Sequence, residues 1–283
     1  NEGKGASLRL NHDLGWATLT AIGSYEAFDR NELNDWDATA SNEAGTYFFN
    51  DIETVSQEVR LASPTGGRLQ WMGGLYHATE DVDGGFYSDF SEAKSLGFWM
   101  STTYNQKVET TGVFGNIDYR LTDRLTLVGG LRYEDETREL NDFKTEILAP
   151  TPALRANTSK AQSMGEWTGK IGAEYAFNDD VLAYANVSRG VKSGGFTTYN
   201  SGLPEQLDPF KFEELIAYEA GVRSSLTGEA TDRKPSTSAT MPRWAVWGWS
   251  RASTTLWITP QGTPVATSFS NSACASKRAK AAS

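Results

Sequence analysis

The fold class follows from one stretch, Trp167-Thr168-Gly169-Lys170-Ile171-Gly172-Ala173-Glu174-Tyr175-Ala176-Phe177, in which apolar and polar side chains alternate. Successive side chains of a β-strand point to opposite faces of the sheet. One face of this stretch therefore carries only apolar side chains and glycine, and the other carries threonine, lysine and glutamate. The alternation predicts a strand that is apolar on one side and wet on the other.

The same period of two recurs along the first 226 residues and predicts about nine strands. One face of these strands is expected to contact lipid, and it carries Leu127, Leu131, Ile171, Ala173, Tyr175, Ile216 and Tyr218. The predicted strands lie near residues 4–12, 16–29, 51–62, 68–80, 105–120, 125–138, 165–177, 181–192 and 213–226.

Short and long connections alternate between these strands. Short turns rich in Gly, Asp, Asn and Pro alternate with long connections near residues 30–50, 81–104, 139–164 and 193–212. An outer-membrane barrel has this asymmetry, with short periplasmic turns and long extracellular loops. We therefore predict an all-β fold, an antiparallel up-and-down transmembrane β-barrel, here an incomplete segment of about nine strands with a disordered tail.

Aromatic side chains gather at the strand ends that meet the short turns. Barrels place such rings in girdles at the membrane interfaces, although aromatic residues are also good strand formers in general. The girdle interpretation applies to Trp16, Trp71, Tyr119, Tyr175, Phe177 and Tyr184.

Composition excludes several classes of function. The net charge of −10 and the pI near 4.8 argue against nucleic acid as a partner. Cys274 is the single cysteine and His12 and His77 are the two histidines, so neither a disulfide, a thiolate cluster nor a histidine-rich metal site is expected. No stretch is apolar enough for a transmembrane helix. We also find no catalytic motif, expect no enzyme activity and infer no cofactor.

The last 54 residues differ from the rest. The chain up to residue 229 carries a net charge of −16, whereas residues 230–283 hold seven basic residues and one acid. The alternation also disappears, and four prolines interrupt the segment. We therefore predict two regions: 1–229, the partial barrel, and 230–283, an irregular tail. The tail is either an out-of-frame translation, which we favour, or a basic segment for anionic lipid.

Four segments together resemble the barrel domain of TonB-dependent outer-membrane receptors of the siderophore type. The segments are Ser56-Gln57-Glu58-Val59-Arg60-Leu61-Ala62-Ser63, the hairpin from Val113 to Glu134, the stretch from Leu182 to Phe196, and Phe210 to Ser224. The resemblance covers about residues 5–228. It implies a part of a 22-stranded barrel with a plugged lumen, which imports ferric siderophores or similar bulky nutrients.

The resemblance also implies partners and a location. The barrel is expected in the cell outer membrane, in contact with the lipid bilayer and with a siderophore-like small molecule. TonB would act only through a plug region, which this sequence lacks. We also find no signal peptide and no final strand that ends in an aromatic residue, so we interpret the chain as an internal piece of a receptor with two open sheet edges.

Nine residues are candidate ligand contacts. Aromatic residues of the long connections could form a platform for an apolar ligand face, or they could pack against one another over the barrel mouth. Arginines on the lumen side could attract an anionic chelate, or pair with Glu58, Glu134 and Glu219. The candidates are Trp36, Tyr47, Phe86, Tyr87, Phe98, Trp99, Arg60, Arg132 and Arg223.

Two other functions remain open at this stage. A passive porin-like channel would share the barrel but lack the plug, and a soluble β-rich binding module would use the apolar face as its core. His77 is interpreted as an ordinary strand residue, with haem ligation as its alternative.

Overall fold

The computed structural model describes residues 1–39, 41, 43–94, 96–199 and 201–224. This part of the chain is all-β and contains nine strands and a single turn of 3-10 helix, Pro204–Leu207. The strands are β1 (Glu2–Asp13), β2 (Thr18–Asp35), β3 (Gly45–Ala62), β4 (Leu69–Asp89), β5 (Trp99–Arg120), β6 (Leu125–Ala149), β7 (Ala153–Ala176), β8 (Val181–Lys192) and β9 (Glu213–Ser224).

The nine strands form one antiparallel sheet in which each strand pairs with its neighbours in sequence, from β1 to β9. Within the described residues, β1 and β9 do not pair with each other, so the sheet is open. The predicted all-β up-and-down architecture with about nine strands is therefore confirmed. No helix in the described part of the chain is long and apolar enough to cross a membrane.

The strand ends differ from the prediction on one side of the sheet only. At the short-turn side the predicted ends are correct to within about two residues, whereas at the other side the strands from β2 to β7 run several residues further. Three of the four long connections shrink to residues 36–44, 90–98 and 150–152, and only 193–212 keeps its length. The extensions carry polar residues on both faces, so the alternation ends while the backbone ladder continues.

Register places the predicted lipid-facing side chains on one face. Leu127 lies opposite Ala173, Ile171 lies opposite Val187, and Val187 lies opposite Tyr218. Directly paired residues share a face, and Ile171 and Tyr218 are 71% and 74% exposed. The apolar stripe is thus continuous across the sheet. We call this side the outer face and the opposite side the inner face.

Aromatic rings flank the outer stripe near the short turns. Trp16 stacks on Trp71 with ring centroids 6.3 Å apart, and Tyr175 meets Phe177 edge to face at 5.0 Å. Tyr184 is an exception to the predicted girdle. It points to the inner face, where its Oη donates to Glu219 Oε1 at 2.9 Å. Its position follows from parity, because Tyr184 lies one residue out of phase with the stripe residue Ala183.

The predicted boundary at residue 229 and the tail of residues 230–283 lie outside the described residues.

Candidate functional site

The inner face is lined by ion pairs between residues two apart on one strand. Arg60 Nη1 lies 3.0 Å from Glu58 Oε1 on β3, and Arg132 Nε donates to Glu134 Oε2 at 2.7 Å on β6. Residues i and i+2 of a strand share a face, so each carboxylate meets its arginine without help from another strand. The predicted pairing is therefore present for Arg60 and Arg132.

The three candidate arginines all point to the inner face but do not converge. Arg60 and Arg132 occupy one cross-strand row through Gly74 and Phe114. Three strand spacings separate them, which is about 14 Å. Arg223 stands on β9, where Glu219 instead accepts hydrogen bonds from Tyr184 and from Asn186.

Arg132 also contacts Phe114, an apolar side chain on the otherwise polar inner face of β5. Its guanidinium carbon lies 5.3 Å from the ring centroid of Tyr76 and 5.9 Å from that of Phe114. These distances are within the range of cation–π attraction. Phe114 is thus part of the inner polar wall.

Residues 193–212, which we call the inner loop, fold back across the inner face of β6 and β7. Gly195 and Phe210 form an antiparallel bridge that closes the loop. Thr145 Oγ1 donates to the carbonyl of Ser201 at 3.0 Å, and Lys160 forms an ion pair with Asp208. These contacts fix the loop to the wall over most of its length.

A small hydrophobic core anchors the inner loop. Phe196 and Leu207 of the loop pack with Leu140, Phe143 and Ala156 of the wall, and all five side chains are at most 8% exposed. In a regular strand Leu140 and Phe143 would point to opposite faces. A β-bulge shifts the register between them, with Asp142 at φ 50°, and brings both into this core.

Glycine is required where the inner loop closes. A Cβ at position 194 would lie 2.2 Å from the carbonyl oxygen of Phe210, closer than real side chains approach a backbone atom. The Gly194-Gly195 pair that follows β8 thus serves close backbone approach.

Tyr199 of the inner loop reaches the extended ends of β3 and β4. Its ring centroid lies 5.1 Å from that of Phe86, 5.8 Å from Phe48 and 6.2 Å from Trp36. We call Trp36, Phe48, Phe86 and Tyr199 the inner aromatic cluster. The Arg30 guanidinium lies 5.4 Å from the centroid of Phe48. Trp36 and Tyr199 are 59% and 36% exposed, whereas Phe86 is only 2% exposed, so Trp36 and Tyr199 form the accessible side of the cluster.

The other aromatic candidates lie elsewhere. Tyr47, Phe49 and Tyr87 stand on the outer face of β3 and β4, and we call them the outer aromatic patch. Trp99 lies on the same face of β5 and is 50% exposed. Phe98 packs edge to face on Phe90 at 5.5 Å. The candidates therefore do not form one platform, because those on strands alternate between faces while Trp36 and Phe98 lie in two different connections.

Sequence reasoning did not single out Tyr199, the centre of the inner aromatic cluster. It lies in the one connection that remained long, and only the return of that loop over β6 and β7 brings it to Phe48 and Phe86. A tyrosine in a Gly- and Pro-containing loop offers no periodic signal.

A cavity of about 160 Å³ opens on the inner face beside the inner loop. The two carboxylates of its lining, on Glu134 and Glu166, already pair with Arg132 and Arg189. The cavity suits water or a small polar group. Its lining consists of Glu134, Met164, Glu166, Thr168, Val191 and Ser193.

Among the described residues, no group of three His, Cys, Asp or Glu side chains could hold a metal ion. His77 lies on the outer face, where its Nδ1 is 3.1 Å from Thr111 Oγ1.

Asp37 organises the connection that presents Trp36. Its carboxylate accepts hydrogen bonds from the Thr39 hydroxyl and from the backbone N–H groups of Thr39 and Ala44. These bonds, with that of the Thr39 hydroxyl first, hold the pKa of Asp37 below its ordinary value of 3.8. A depressed pKa means that the carboxylate stabilises the folded loop above pH 3.8 and loses that effect as pH falls through the folded pKa.

We expect the protection of the Thr39 and Ala44 amides against hydrogen exchange to stay high at neutral pH and to fall as pH drops below 3.8 and through the folded pKa of Asp37. Asp37→Ala should give low protection at every pH, while Asp35→Asn serves as the matched acid control. A flat protection profile in the unmodified chain would contradict this role of Asp37.

Known proteins resemble this chain in sequence and in fold. The family model described as TonB dependent receptor-like, beta-barrel, matches residues 1–239. The pesticin receptor of Yersinia pestis is 26% identical over 126 residues, which are 44% of this chain and 18% of that protein. The rhizobactin receptor of Rhizobium meliloti is 25% identical over 204 residues, 64% of this chain and 26% of that protein.

Solved structures share the arrangement of strands. The ferric yersiniabactin uptake receptor FyuA from Yersinia pestis superposes with a TM-score of 0.68 at 18% identity, over 80% of this chain and 33% of that one. The copper transporter OprC superposes with a TM-score of 0.58 at 12% identity, over 79% of this chain and 36% of that one. The chain thus spans well under half of these relatives. With the family model matched over most of its length, this chain belongs to the TonB-dependent receptor-like β-barrel family.

Proposed function

We propose that this chain forms part of the wall of an outer-membrane receptor that imports a ferric siderophore or a similarly bulky nutrient with energy delivered through TonB. The observation that carries the proposal is the inner aromatic cluster, which stands at the long-connection end of the inner face. Below it the wall is polar and ion-paired. A ligand would thus meet ring faces first and charged groups afterwards.

The relatives support an uptake receptor and leave the ligand open. The names of the related proteins refer to pesticin, rhizobactin and ferric yersiniabactin, while a structural neighbour is a copper transporter. One fold therefore serves ligands of different chemistry. Trp36, Tyr199 and Arg30 are the residues of this chain that we propose for first contact, because they join one exposed ring, one loop ring and one cation.

Uptake by the complete receptor that carries this segment tests the proposal. In a host without its own receptors, we expect accumulation of at least one radiolabelled complex from a panel of ferric catecholates, phenolates and hydroxamates, and no accumulation when TonB is deleted. Trp36→Ala should raise the half-saturating concentration about tenfold with little change in maximal rate, because it removes binding surface only. Trp16→Ala should change neither quantity, because Trp16 lies at the short-turn end of the sheet, away from the inner aromatic cluster.

Two results would decide against the proposal. Uptake that persists without TonB and does not saturate would indicate a passive channel. Recovery of the receptor in the soluble fraction would indicate a soluble module. The 283-residue chain by itself is the negative control, because in the part of the chain that the structure describes the outer edges of β1 and β9 are unpaired and leave backbone groups that a bilayer cannot satisfy.

A further inference from the structure

The outer aromatic patch is exposed on the outer face of the wall. Phe49 stacks on Tyr47 at a centroid distance of 6.3 Å, and its ring lies tilted against that of Tyr87 at 5.3 Å. Tyr47 and Tyr87 are 40% and 46% exposed, and the Tyr47 hydroxyl donates to Asn31 Oδ1 at 2.7 Å. Stacked rings held in place at the surface indicate contact with a partner.

The patch stands too far from the apolar stripe to be a membrane girdle. On β3 the last stripe residue is Val55, and Phe49 follows six positions further along the strand. At about 3.3 Å per residue this is roughly 20 Å along the strand, or about 15 Å of height for a strand tilted by ~40°. Asp51 and Glu53 occupy the same face in between, where hydrocarbon would leave their charges unsolvated.

The groups around the patch favour neutral hydroxyl-rich ligands over anions. Asp29, Asp51 and Asp83 are directly paired across β2, β3 and β4. Asn105 of β5 lies in the same row and donates to Asp83 at 3.0 Å. Carboxylate oxygens accept from hydroxyl groups and repel phosphate. Sugar rings present C–H groups to an aromatic face and hydroxyl groups at their edges.

We propose that the outer aromatic patch and the adjoining acidic row bind the neutral hexoses of glycolipid head groups in the outer leaflet around the barrel. The patch lies on the same wall as the lipid-facing stripe, at the height where such head groups stand above the hydrocarbon. The proposal rests on the proposed function only for the placement of the wall in the membrane.

Soluble core oligosaccharide, released from lipopolysaccharide and free of acyl chains, is the probe. The detergent-solubilised complete receptor that carries this segment should give saturation-transfer NMR signals on the hexose C–H protons. The double variant Tyr47→Ala/Tyr87→Ala should bind about tenfold more weakly, since it loses two ring faces. Tyr87→Phe should bind as the unmodified chain does, and Tyr218→Ala, which removes an even more exposed tyrosine of the stripe, should have no effect.

Equal binding by the double variant and the unmodified chain would overturn the proposal. So would binding that a chelator abolishes, which would mean cation-bridged phosphates rather than sugar stacking. Dimerisation through the patch without oligosaccharide binding, seen by light scattering, would assign it to a second copy of the chain. Ligand uptake by the complete receptor is a separate measurement, so failure of the transport proposal leaves this result interpretable.

Discussion

Replacing Ile171 by arginine in the complete receptor should lower its free energy of unfolding by about 2–4 kcal/mol, the cost of arginine on the lipid face near the bilayer midplane. Ile171 lies on the outer face midway between Tyr175 and Trp167 along β7, and its side chain is 71% exposed. The two aromatic residues mark the edges of the apolar stripe on this strand. An arginine side chain between them would lie in the hydrocarbon of the bilayer, away from water.

Thr168→Arg is the matched control, three residues away on the same strand. Thr168 points to the inner face beside Glu134 and Glu166, which line the same cavity. An arginine there meets water and carboxylates, so the loss should be under about 1 kcal/mol. Equilibrium unfolding in urea from lipid vesicles measures both variants. Equal losses would contradict the assignment of the outer face to lipid.

Phe143→Ala should lower the free energy of unfolding by about 3–5 kcal/mol, the usual range for removal of a fully buried phenylalanine. The Phe143 side chain is 0% exposed and packs with Leu140, Leu207 and Phe196 under the inner loop. Removal of the ring leaves a cavity beside Phe196 and Leu207, the two side chains that anchor the inner loop. The inner loop should therefore open before the sheet does, since the strand ladders do not depend on this ring.

Two measurements monitor this opening. They are trypsin cleavage after Lys211, within the inner loop, and hydrogen exchange of residues 193–212. Both should accelerate strongly in Phe143→Ala, while exchange in β8 and β9 stays unchanged. Leu154→Ala is the control. Leu154 lies on β7, beside the strand that carries Phe143, but its side chain is 57% exposed and does not belong to the core. Loss of protection throughout the sheet would mean that the core supports the whole wall and not the loop alone.

The alternation of side chains was sufficient to predict the class of fold. Residues 167–177 carry the period of two in eleven consecutive positions, and the same period with turn residues marks most of the other strands. This information is local, because a strand facing lipid on one side and water on the other must alternate wherever it stands. The outer stripe and the ends of the strands at the short turns were therefore predictable.

The extent of the strands at the other end was not predictable from alternation. Past the apolar stripe polar residues stand on both faces of the strands, so the period of two no longer distinguishes a strand from a loop. The backbone ladder continues there because the neighbouring strand offers hydrogen-bonding partners. That continuation decided which candidate aromatics share a face: Phe86 lies inside and Tyr47 and Tyr87 lie outside.

Tertiary structure alone brought the candidate site together. Tyr199 meets Phe48 and Phe86 across more than a hundred residues of sequence, and it does so because the core around Phe143 and Leu207 folds the inner loop back over the wall. The β-bulge at Asp142 allows that core to form, because it brings Leu140 and Phe143 to the same face, although a regular strand would place them on opposite faces. Periodicity within a strand thus determined the sheet, whereas the position of the inner loop depends on contacts between distant segments that no local pattern encodes.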